Sequence, residues 1–392
     1  MGYIRKFKLH LASLLFSLLI SAPLMAADIV IRSNQPVSIA TMDFPQYGFF
    51  TRNGVDLAVL QFGGSLLGHR IKTMDYGKGC DLRQELDDFI QGLTRQPKTL
   101  GLVGPICSGR TRRIVETLSD AQILTISPAN TFSGFSDPEL HSSIPYYFRT
   151  PPNDRFQAET AADFTLSPPS ENGLGASTAA IVYYGGDDDY SQFLANGFRD
   201  LFTQGGGTIV GDFPIDFGQD LSTVVDTLGD VDVVYAPLFD GEFFSLYTAL
   251  RETHGDVPLL GTDGVMGLSA LEVLGITPVQ SYATGVVENG PNLETFVADY
   301  TAHYGYPPGP FEAFAYDATR LILNAAAAAA SVDASGTLTI STEDMLDYMN
   351  DSANYPYAGA GGTYQTPVNG DLNFGGYAVF QDVGGDFLQV FP

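Results

Sequence analysis

Short apolar runs alternate with helical hydrophobic periodicity along most of the chain. Runs of β-branched and other apolar residues predict strands, and apolar spacings of three and four predict helices. The predicted strands are 99–106, 123–126, 179–184, 208–213, 232–238 and 258–262. The predicted helices are 81–93, one that begins near Gly109, 190–202, 242–251 and 293–304. Alternation of this kind is typical of parallel sheets covered by helices, so we predict an α/β fold.

Three interruptions divide this pattern, at residues 149–153, 289–291 and 358–370, and all three contain proline. Proline removes a backbone donor and restricts φ, so these segments do not continue a helix or a central strand. The interruptions indicate either three linkers or one pair of lobes that the chain crosses three times. The pattern alone leaves both interpretations open.

Composition and charge exclude several classes of protein. The 392 residues, 44% of them hydrophobic, are enough for two cores. Lys and Arg total 19 against 45 Asp and Glu, a net charge of −26. Such a surface repels nucleic-acid phosphates and anionic lipid, so we expect no nucleic-acid partner. Five His and two Cys leave little for a metal site, and we expect no metal and no cofactor.

The first 27 residues have the pattern of a cleaved secretory signal peptide. Arg5, Lys6 and Lys8 precede the apolar run 9–25, and Ala26-Ala27 follow it. A membrane anchor is the alternative, but the run is short for spanning a bilayer and is broken by a proline. We therefore expect export to the periplasm.

Cys80 and Cys107 are the only cysteines of the chain. Export permits disulfides, and two cysteines in an oxidising compartment most simply pair with each other. Two free structural thiols are the alternative.

Two loops each follow a predicted strand and precede a helix, where open α/β sheets bind small molecules. The loop 104–109 carries Ser108 at a helix start, where its hydroxyl and nearby backbone N–H groups face an anion. The loop 127–131 offers hydroxyl and carbonyl groups suited to a carboxylate and an ammonium. Its candidate residues are Ala129, Asn130 and Thr131. Simple helix capping by Ser108 and an ordinary turn at 127–131 are the alternatives.

A third loop of this type, 261–264, carries Asp263, which can pair with a ligand ammonium because a buried carboxylate needs such a partner. Asp-Gly is also a common turn. Two aromatic residues join the candidates: Tyr190 at a helix start and Phe239 after a strand. For each of these two aromatic residues, a place in the hydrophobic core is the alternative role. Asp187 to Asp189 suit a helix cap better than a calcium-binding loop.

Taken together and in their order along the chain, these segments resemble the periplasmic solute-binding proteins of branched-chain amino acid ABC transporters, the leucine/isoleucine/valine-binding group. The resemblance covers nearly all of the chain after the signal peptide. Its segments are Val103-Gly104-Pro105-Ile106-Cys107-Ser108, Ile126-Ser127-Pro128-Ala129-Asn130-Thr131, Phe148-Arg149-Thr150-Pro151-Pro152-Asn153-Asp154, Gly185 to Tyr190 and Leu260-Gly261-Thr262-Asp263-Gly264.

The resemblance implies the type I periplasmic binding protein fold, with two doubly wound parallel-sheet lobes, a three-segment hinge and clamshell closure. It therefore favours one pair of lobes as the meaning of the three interruptions. It also implies a disulfide between Cys80 and Cys107. The division that we predict is residues 1–27 as signal peptide, 28–149 plus 290–357 as lobe 1, and 150–289 plus 358–392 as lobe 2.

The resemblance also implies roles for the candidate residues. Ser108 and Thr131 would hold the ligand's α-carboxylate, and the Ala129 carbonyl and Asp263 would hold its ammonium, with Asn130 beside them. Phe239 stands where the family often has Tyr, and Asp263 where leucine-binding members have Glu, which leaves the ligand's size and shape open. The aromatic cover would come from Tyr47, Tyr190 and Phe239.

The function that follows is the substrate-binding component of an ABC importer, a monomer that delivers an aliphatic, amino acid-like ligand to a permease in the inner membrane. Amides, urea or aromatic acids are alternative ligands, and a ligand-sensing receptor subunit of the same fold is an alternative role. No nucleophile elbow, His-Glu-x-x-His motif or Ser/His/Asp set stands out, so we do not expect an enzyme.

Overall fold

The alternating strands and helices form two lobes, each built on a mainly parallel sheet. The computed structural model describes residues 28–32, 35–42, 51–76, 89, 92–93, 98–186, 189–266, 278–384 and 386–392. The predicted signal peptide, Tyr47, Cys80 and most of the predicted helix 81–93 lie outside the described residues. The pairing of Cys80 with Cys107 therefore stays a prediction. None of the described helices is long and apolar enough to cross a membrane.

The main sheet of the first lobe has the strand order β3-β4-β2-β5-β6-β7, and only the β3–β4 pair is antiparallel. In chain order, the strands in this first part of the chain are β1 (Ile29–Ile31), β2 (Val37–Thr41), β3 (Ser65–Leu66), β4 (His69–Asp75), β5 (Lys98–Val103), β6 (Thr125–Ser127) and β7 (Tyr147–Arg149). All five residues of β2 are buried, as expected for a strand covered on both faces.

The main sheet of the second lobe has the order β18-β17-β12-β11-β10-β8-β9, with an antiparallel edge formed by β17 and β18. The remaining strands are β8 (Thr178–Tyr184), β9 (Thr208–Ile215), β10 (Val233–Tyr235), β11 (Leu259–Gly261), β12 (Ser281–Val286), β13 (Ala330–Val332), β14 (Leu338–Ile340), β15 (Tyr357–Ala358), β16 (Thr363–Tyr364), β17 (Tyr377–Asp382) and β18 (Phe387–Phe391). Strands β1, β14 and β13 form a small antiparallel sheet, and β15 pairs with β16.

Helices cover both main sheets. The described α-helices are α1 (Arg52–Gln61), α2 (Ser108–Asp120), α3 (Pro138–Ser143), α4 (Asp154–Leu166), α5 (Asp189–Gln204), α6 (Ser222–Val225), α7 (Asp240–Thr253), α8 (Leu293–Tyr304), α9 (Glu312–Ala328) and α10 (Thr342–Asn350). On α5, the fully buried Leu194, Phe198 and Phe202 follow the spacing of four that predicts the helix from the sequence.

Most of the predicted elements are confirmed, with shifts at their ends. The helix predicted over 293–304 has those bounds, and the strand predicted over 179–184 starts one residue earlier. The strand predicted over 99–106 ends at Val103, because the chain there leaves the sheet and enters α2. The strand predicted over 232–238 is limited to β10 for the same reason.

The chain crosses between the lobes three times, so the two-lobe interpretation of the interruptions is confirmed. The crossings lie between β7 and α4, between β12 and α8, and before β17. Residues 358–372 belong to the predicted second lobe, yet Tyr364 and Leu372 pack in the core beside the first sheet. We therefore propose that the third crossing lies after Leu372 rather than at residue 358.

Asp317 of α9 holds the residues that precede this third crossing. Its carboxylate accepts hydrogen bonds from the backbone N–H groups of Ala360 (2.8 Å) and Gly361 (2.7 Å) and from the Tyr364 hydroxyl (2.6 Å). Burial is the main reason that the pKa of Asp317 rises from 3.8 to about 7, although these hydrogen bonds act in the opposite direction. The folded protein therefore keeps a proton on Asp317 at pH values where the unfolded chain loses it.

This pKa predicts a pH-dependent effect of Asp317→Asn. Between pH 4 and about 7 the unfolded state binds fewer protons at this group, so its contribution to the free energy of unfolding falls as pH rises. Asparagine does not titrate, so the destabilisation caused by the substitution should shrink over that range. Urea unfolding of both proteins from pH 4 to 8 measures it, with Asp333→Asn, an exposed turn position, as the control. A constant difference across the range would contradict the prediction.

Candidate functional site

The candidate loops follow the carboxyl ends of strands that hold equivalent positions in the two sheets. In the first sheet β2 and β5 are neighbours, and the chain continues outward from them to β4 on one side and β6 on the other. In the second sheet β8 and β10 stand in the same relation, with β9 and β11 outside them. Open α/β sheets bind ligands at such switch points, beyond the carboxyl ends of the strands. The loops after β5, β8 and β10 lead to Ser108, Tyr190 and Phe239.

In the first lobe, Ser108 and Asn130 bring two of the predicted loops together. The Ser108 hydroxyl lies 3.3 Å from Asn130 Oδ1, and the Asn130 amide donates to Thr111 Oγ1 at 2.6 Å. All three side chains are buried. The Asn130 side chain therefore joins its loop to α2, while the Ser108 hydroxyl makes one long contact and can turn toward another acceptor.

The loop after β6 is a hydrogen-bonded turn. The Ser127 hydroxyl donates to the Pro105 carbonyl (2.5 Å) and accepts from the backbone N–H of Asn130 (2.9 Å). Ala129 is 8% exposed and Thr131 only 1%. Backbone and hydroxyl groups of this loop thus lie in a nearly closed environment, where hydrogen bonds to a charged ligand are strong.

In the second lobe, Asp263 follows β11 and is buried among neutral donors. Its Oδ1 accepts hydrogen bonds from Gln157 Nε2 (2.7 Å) and from the Tyr190 hydroxyl (2.5 Å). Burial raises the pKa of Asp263, and the two hydrogen bonds oppose this rise. Among the described residues no Lys, Arg or His forms an ion pair with Asp263. The site therefore favours a cation close to this carboxylate.

Tyr190 and Phe239 form a parallel aromatic pair beside Asp263. Their ring centroids are 5.8 Å apart with planes 8° apart, and the Tyr190 hydroxyl also lies 2.8 Å from Thr262 Oγ1. Phe217, after β9, is 57% exposed, stacks on Tyr184 at 3.9 Å and lies nearly parallel to Phe239. The second lobe thus presents flat apolar surfaces next to a carboxylate.

Tyr377, at the start of β17, lies between the predicted groups of the two lobes. Its hydroxyl donates to the Pro152 carbonyl at 3.1 Å. Burial raises its pKa most, the negative charges of Asp263 and Asp154 raise it further, and a hydrogen bond with Thr131 lowers it. The Tyr377 hydroxyl therefore lies close to Thr131 of the first lobe, and it feels the negative charge of Asp263 of the second lobe.

Two contacts join the lobes beside these residues. Arg112 Nη1 of α2 lies 3.1 Å from Asp189 Oδ1 of α5. The rings of Phe132 and Phe193 meet edge to face with centroids 5.7 Å apart. Arg112 is one helical turn after Ser108, and Asp189 precedes Tyr190. The lobes therefore touch at the mouth of the cleft that holds the candidate residues.

The structure places four of the predicted ligand residues in loops of the first lobe and three in loops of the second, and Tyr47 lies outside the described residues. The first-lobe residues are Ser108, Ala129, Asn130 and Thr131, and the second-lobe residues are Tyr190, Phe239 and Asp263. Gln157 and Tyr377 are additions that the sequence reasoning missed. The sequence carries a weak signal for Gln157, which follows the first interruption on the inner face of α4, and none for Tyr377. In the part of the chain that the structure describes, no three His, Cys, Asp or Glu side chains are grouped to hold a metal ion.

Comparisons with known proteins agree with this architecture. A family model described as periplasmic binding protein matches residues 46–376. A search of curated proteins finds no match. Among solved structures, the leucine-binding protein LivK from Thermotoga maritima is 21% identical, with 91% of this chain and 99% of that chain covered and a TM-score of 0.73.

Two further solved structures differ in what they hold. LivJ from Streptococcus pneumoniae in complex with isoleucine is 21% identical, covering 92% of this chain and 100% of that one, with a TM-score of 0.75. A solute-binding protein from R. palustris in complex with benzoate is 17% identical, covering 91% and 96%, with a TM-score of 0.68. At these identities the likeness shows the fold alone.

The ion pair across the cleft predicts that Arg112→Ala favours separation of the lobes. An exposed pair contributes about 0.2–1 kcal/mol, so the open–closed ratio should shift by a factor of about 1.4 to 5 toward open. The shift should shrink at high salt because ions screen the pair. Distances between spin labels on the two lobes measure it. Arg113→Ala on the same helix is the control, and equal behaviour of the two variants would contradict the prediction.

Proposed function

Because the chain belongs to the periplasmic binding protein family, we propose that it is the solute-binding component of an ABC importer for a small α-amino acid. In this proposal the mature protein works in the periplasm as a monomer and carries out no chemistry of its own. The lobes close on the ligand, and a permease in the inner membrane accepts it from the closed form. Closure follows binding because only a ligand that contacts both lobes stabilises the closed form.

The observation that carries the proposal is the environment of Asp263. A buried carboxylate is costly without a positive partner, and the donors that Asp263 has among the described residues are all neutral: Tyr190, Gln157 and backbone N–H groups. A ligand ammonium supplies the missing charge. The Ala129 carbonyl of the first lobe is the second acceptor that we propose for this group.

The carboxylate of the ligand is the task that we propose for Ser108 and Thr131. Ser108 is the first residue of α2, where the helix dipole and the backbone N–H groups favour an anion. Thr131 is buried 23 residues further along the chain, at the end of the adjoining loop. A carboxylate on the first lobe and an ammonium on the second fit one amino acid lying across the cleft.

Tyr190 and Phe239 support an apolar side chain on the amino acid. Their parallel rings lie beside Asp263. If the ligand's ammonium binds Asp263, the ligand's side chain, which is attached to the neighbouring α-carbon, contacts these rings. The isoleucine complex of LivJ and the name of the leucine-binding LivK also support an aliphatic side chain on the ligand of this protein.

An aromatic acid is the second candidate ligand. The exposed ring of Phe217 extends the aromatic surface of Tyr190 and Phe239, and it is the observation that favours this class. The benzoate complex of a structural relative supports it too. Such a ligand needs Ser108 and Thr131 but no ammonium site. The two candidates therefore differ in their dependence on Asp263.

The first test is Asp263→Asn, which keeps the acceptor for Tyr190 and Gln157 but removes the charge. A thermal-shift screen of refolded protein selects the amino acid that raises the melting temperature most. We expect the variant to bind it about 10- to 100-fold more weakly, since hydrogen bonds to charged groups contribute about 1.5–3 kcal/mol. Calorimetric titration measures the affinity.

Its control is Asp256→Asn. This substitution makes the same charge change before the start of β11, whereas Asp263 follows the end of that strand. That variant should bind like the parent protein. Unchanged affinity of Asp263→Asn would contradict the ammonium role. Tight binding of benzoate by both variants and no binding of amino acids would favour the aromatic-acid candidate.

The second test is Ser108→Ala combined with Thr131→Ala. Removing both hydroxyls should weaken amino acid binding about tenfold or more, because each hydroxyl loses a charge-assisted hydrogen bond. Binding of the matching amino acid amide, which has no carboxylate, should change little. Titrations of both ligands against parent and variant measure the acid-to-amide preference. A preference that survives the double substitution would contradict the carboxylate role.

A further inference from the structure

The Arg149 guanidinium is completely buried beneath the loop that carries Thr131. Its Nε donates to Asp371 Oδ1 at 2.5 Å, and its Nη1 donates to the Phe132 carbonyl at 2.7 Å. Nη1 also lies 3.5 Å from the Asn130 carbonyl, and Nη2 donates to the Ser136 hydroxyl. One planar group thus contacts the loop on both sides of Thr131.

These contacts determine which way the loop's peptide groups face. Arg149 contacts the carbonyls of Asn130 and Phe132, and the Thr131 carbonyl accepts from the Asp154 backbone N–H at 2.8 Å. In a trans peptide the N–H points opposite to the carbonyl that precedes it. The N–H of Thr131 therefore points away from the guanidinium, and the carbonyls that would repel an anion are turned toward cationic or N–H donors.

Asp371 connects this arrangement to the hinge. Its Oδ1 pairs with Arg149 of β7, and its Oδ2 accepts from Asn153 Nδ2 of the first crossing at 2.9 Å. The backbones are joined too, because the Arg149 N–H donates to the Gly370 carbonyl (3.0 Å) and the Leu372 N–H donates to the Arg149 carbonyl (3.3 Å). The loop, the first crossing and the segment before the third crossing therefore share one hydrogen-bond network.

We propose that Arg149 is a positioning residue for carboxylate binding and that its pair with Asp371 fixes the Thr131 loop against the first crossing. The inference rests on the proposed function and deepens it, since Arg149 acts through the loop without contacting the ligand. A charge buried this deeply is costly unless its partners are well placed. Only the fork of an arginine reaches Asp371, Ser136 and Phe132 together, because a lysine offers a single nitrogen.

Arg149→Lys tests this inference, because it keeps the charge and removes the fork. We expect affinity for the amino acid to fall at least about tenfold and affinity for its amide to change little, so the acid-to-amide preference falls with it. A residue that served stability alone would lower the melting temperature and leave that preference intact. Arg199→Lys is the matched control, because Arg199 pairs with Asp212 on the outer face of the second lobe.

Ser136→Ala provides a milder variant that keeps the Arg149–Asp371 pair and removes one partner of the fork. It should lower the acid-to-amide preference by a smaller factor than Arg149→Lys does. It also tests the inference in case Arg149→Lys does not fold. An unchanged preference in a folded Arg149→Lys or in Ser136→Ala would overturn the inference. If the parent protein itself shows no preference for the acid, the proposed function fails, and the inference falls with it.

Discussion

Two buried aspartates, one paired with an arginine and one without, organise the cleft. Asp371 has the Arg149 guanidinium as its partner, so its charge is compensated within the protein. Asp263 has neutral donors alone among the described residues, and burial raises its pKa. A cleft that holds a buried carboxylate with neutral donors alone favours ligands that bring a positive charge.

In the proposed function, the two lobes bind different parts of the ligand. The first lobe offers the start of α2 and the Thr131 loop to an anion, and the second offers Asp263 and the Tyr190–Phe239 pair. The first lobe adds only the neutral Ala129 carbonyl to the ammonium site, so the negative charge that pairs with the ammonium comes from the second lobe. Closure then follows from ligand chemistry, because contacts to both lobes exist only when the cleft is shut. The ion pair between Arg112 and Asp189 adds a smaller, salt-sensitive contribution to the same closed form.

The sequence predicts the local structure well and the long-range contacts poorly. Apolar spacing predicts the helix over 293–304 and all but the first residue of β8. The loops after the strands indicate the candidate site, because parallel sheets bring the ends of their strands together. Tyr377 and Asp371 were missed because they reach the cleft from the far end of the chain. Asp371 lies 222 residues from Arg149, and no local pattern encodes such a pair. The place that we propose for the third crossing, after Leu372, also depends on long-range packing, since Gly and Pro indicate a break but not which core the following residues join.

Small-angle scattering of the protein with three related ligands tests whether a ligand needs both charged groups to close the lobes. Leucine carries both charged groups, leucine amide lacks the carboxylate, and 4-methylpentanoate lacks the ammonium. We expect that leucine, or the aliphatic amino acid that the screen selects, reduces the radius of gyration, while the two matched analogues leave the lobes open. Equal compaction by the acid without an ammonium would contradict it, because Asp263 would then have no part in closing the cleft.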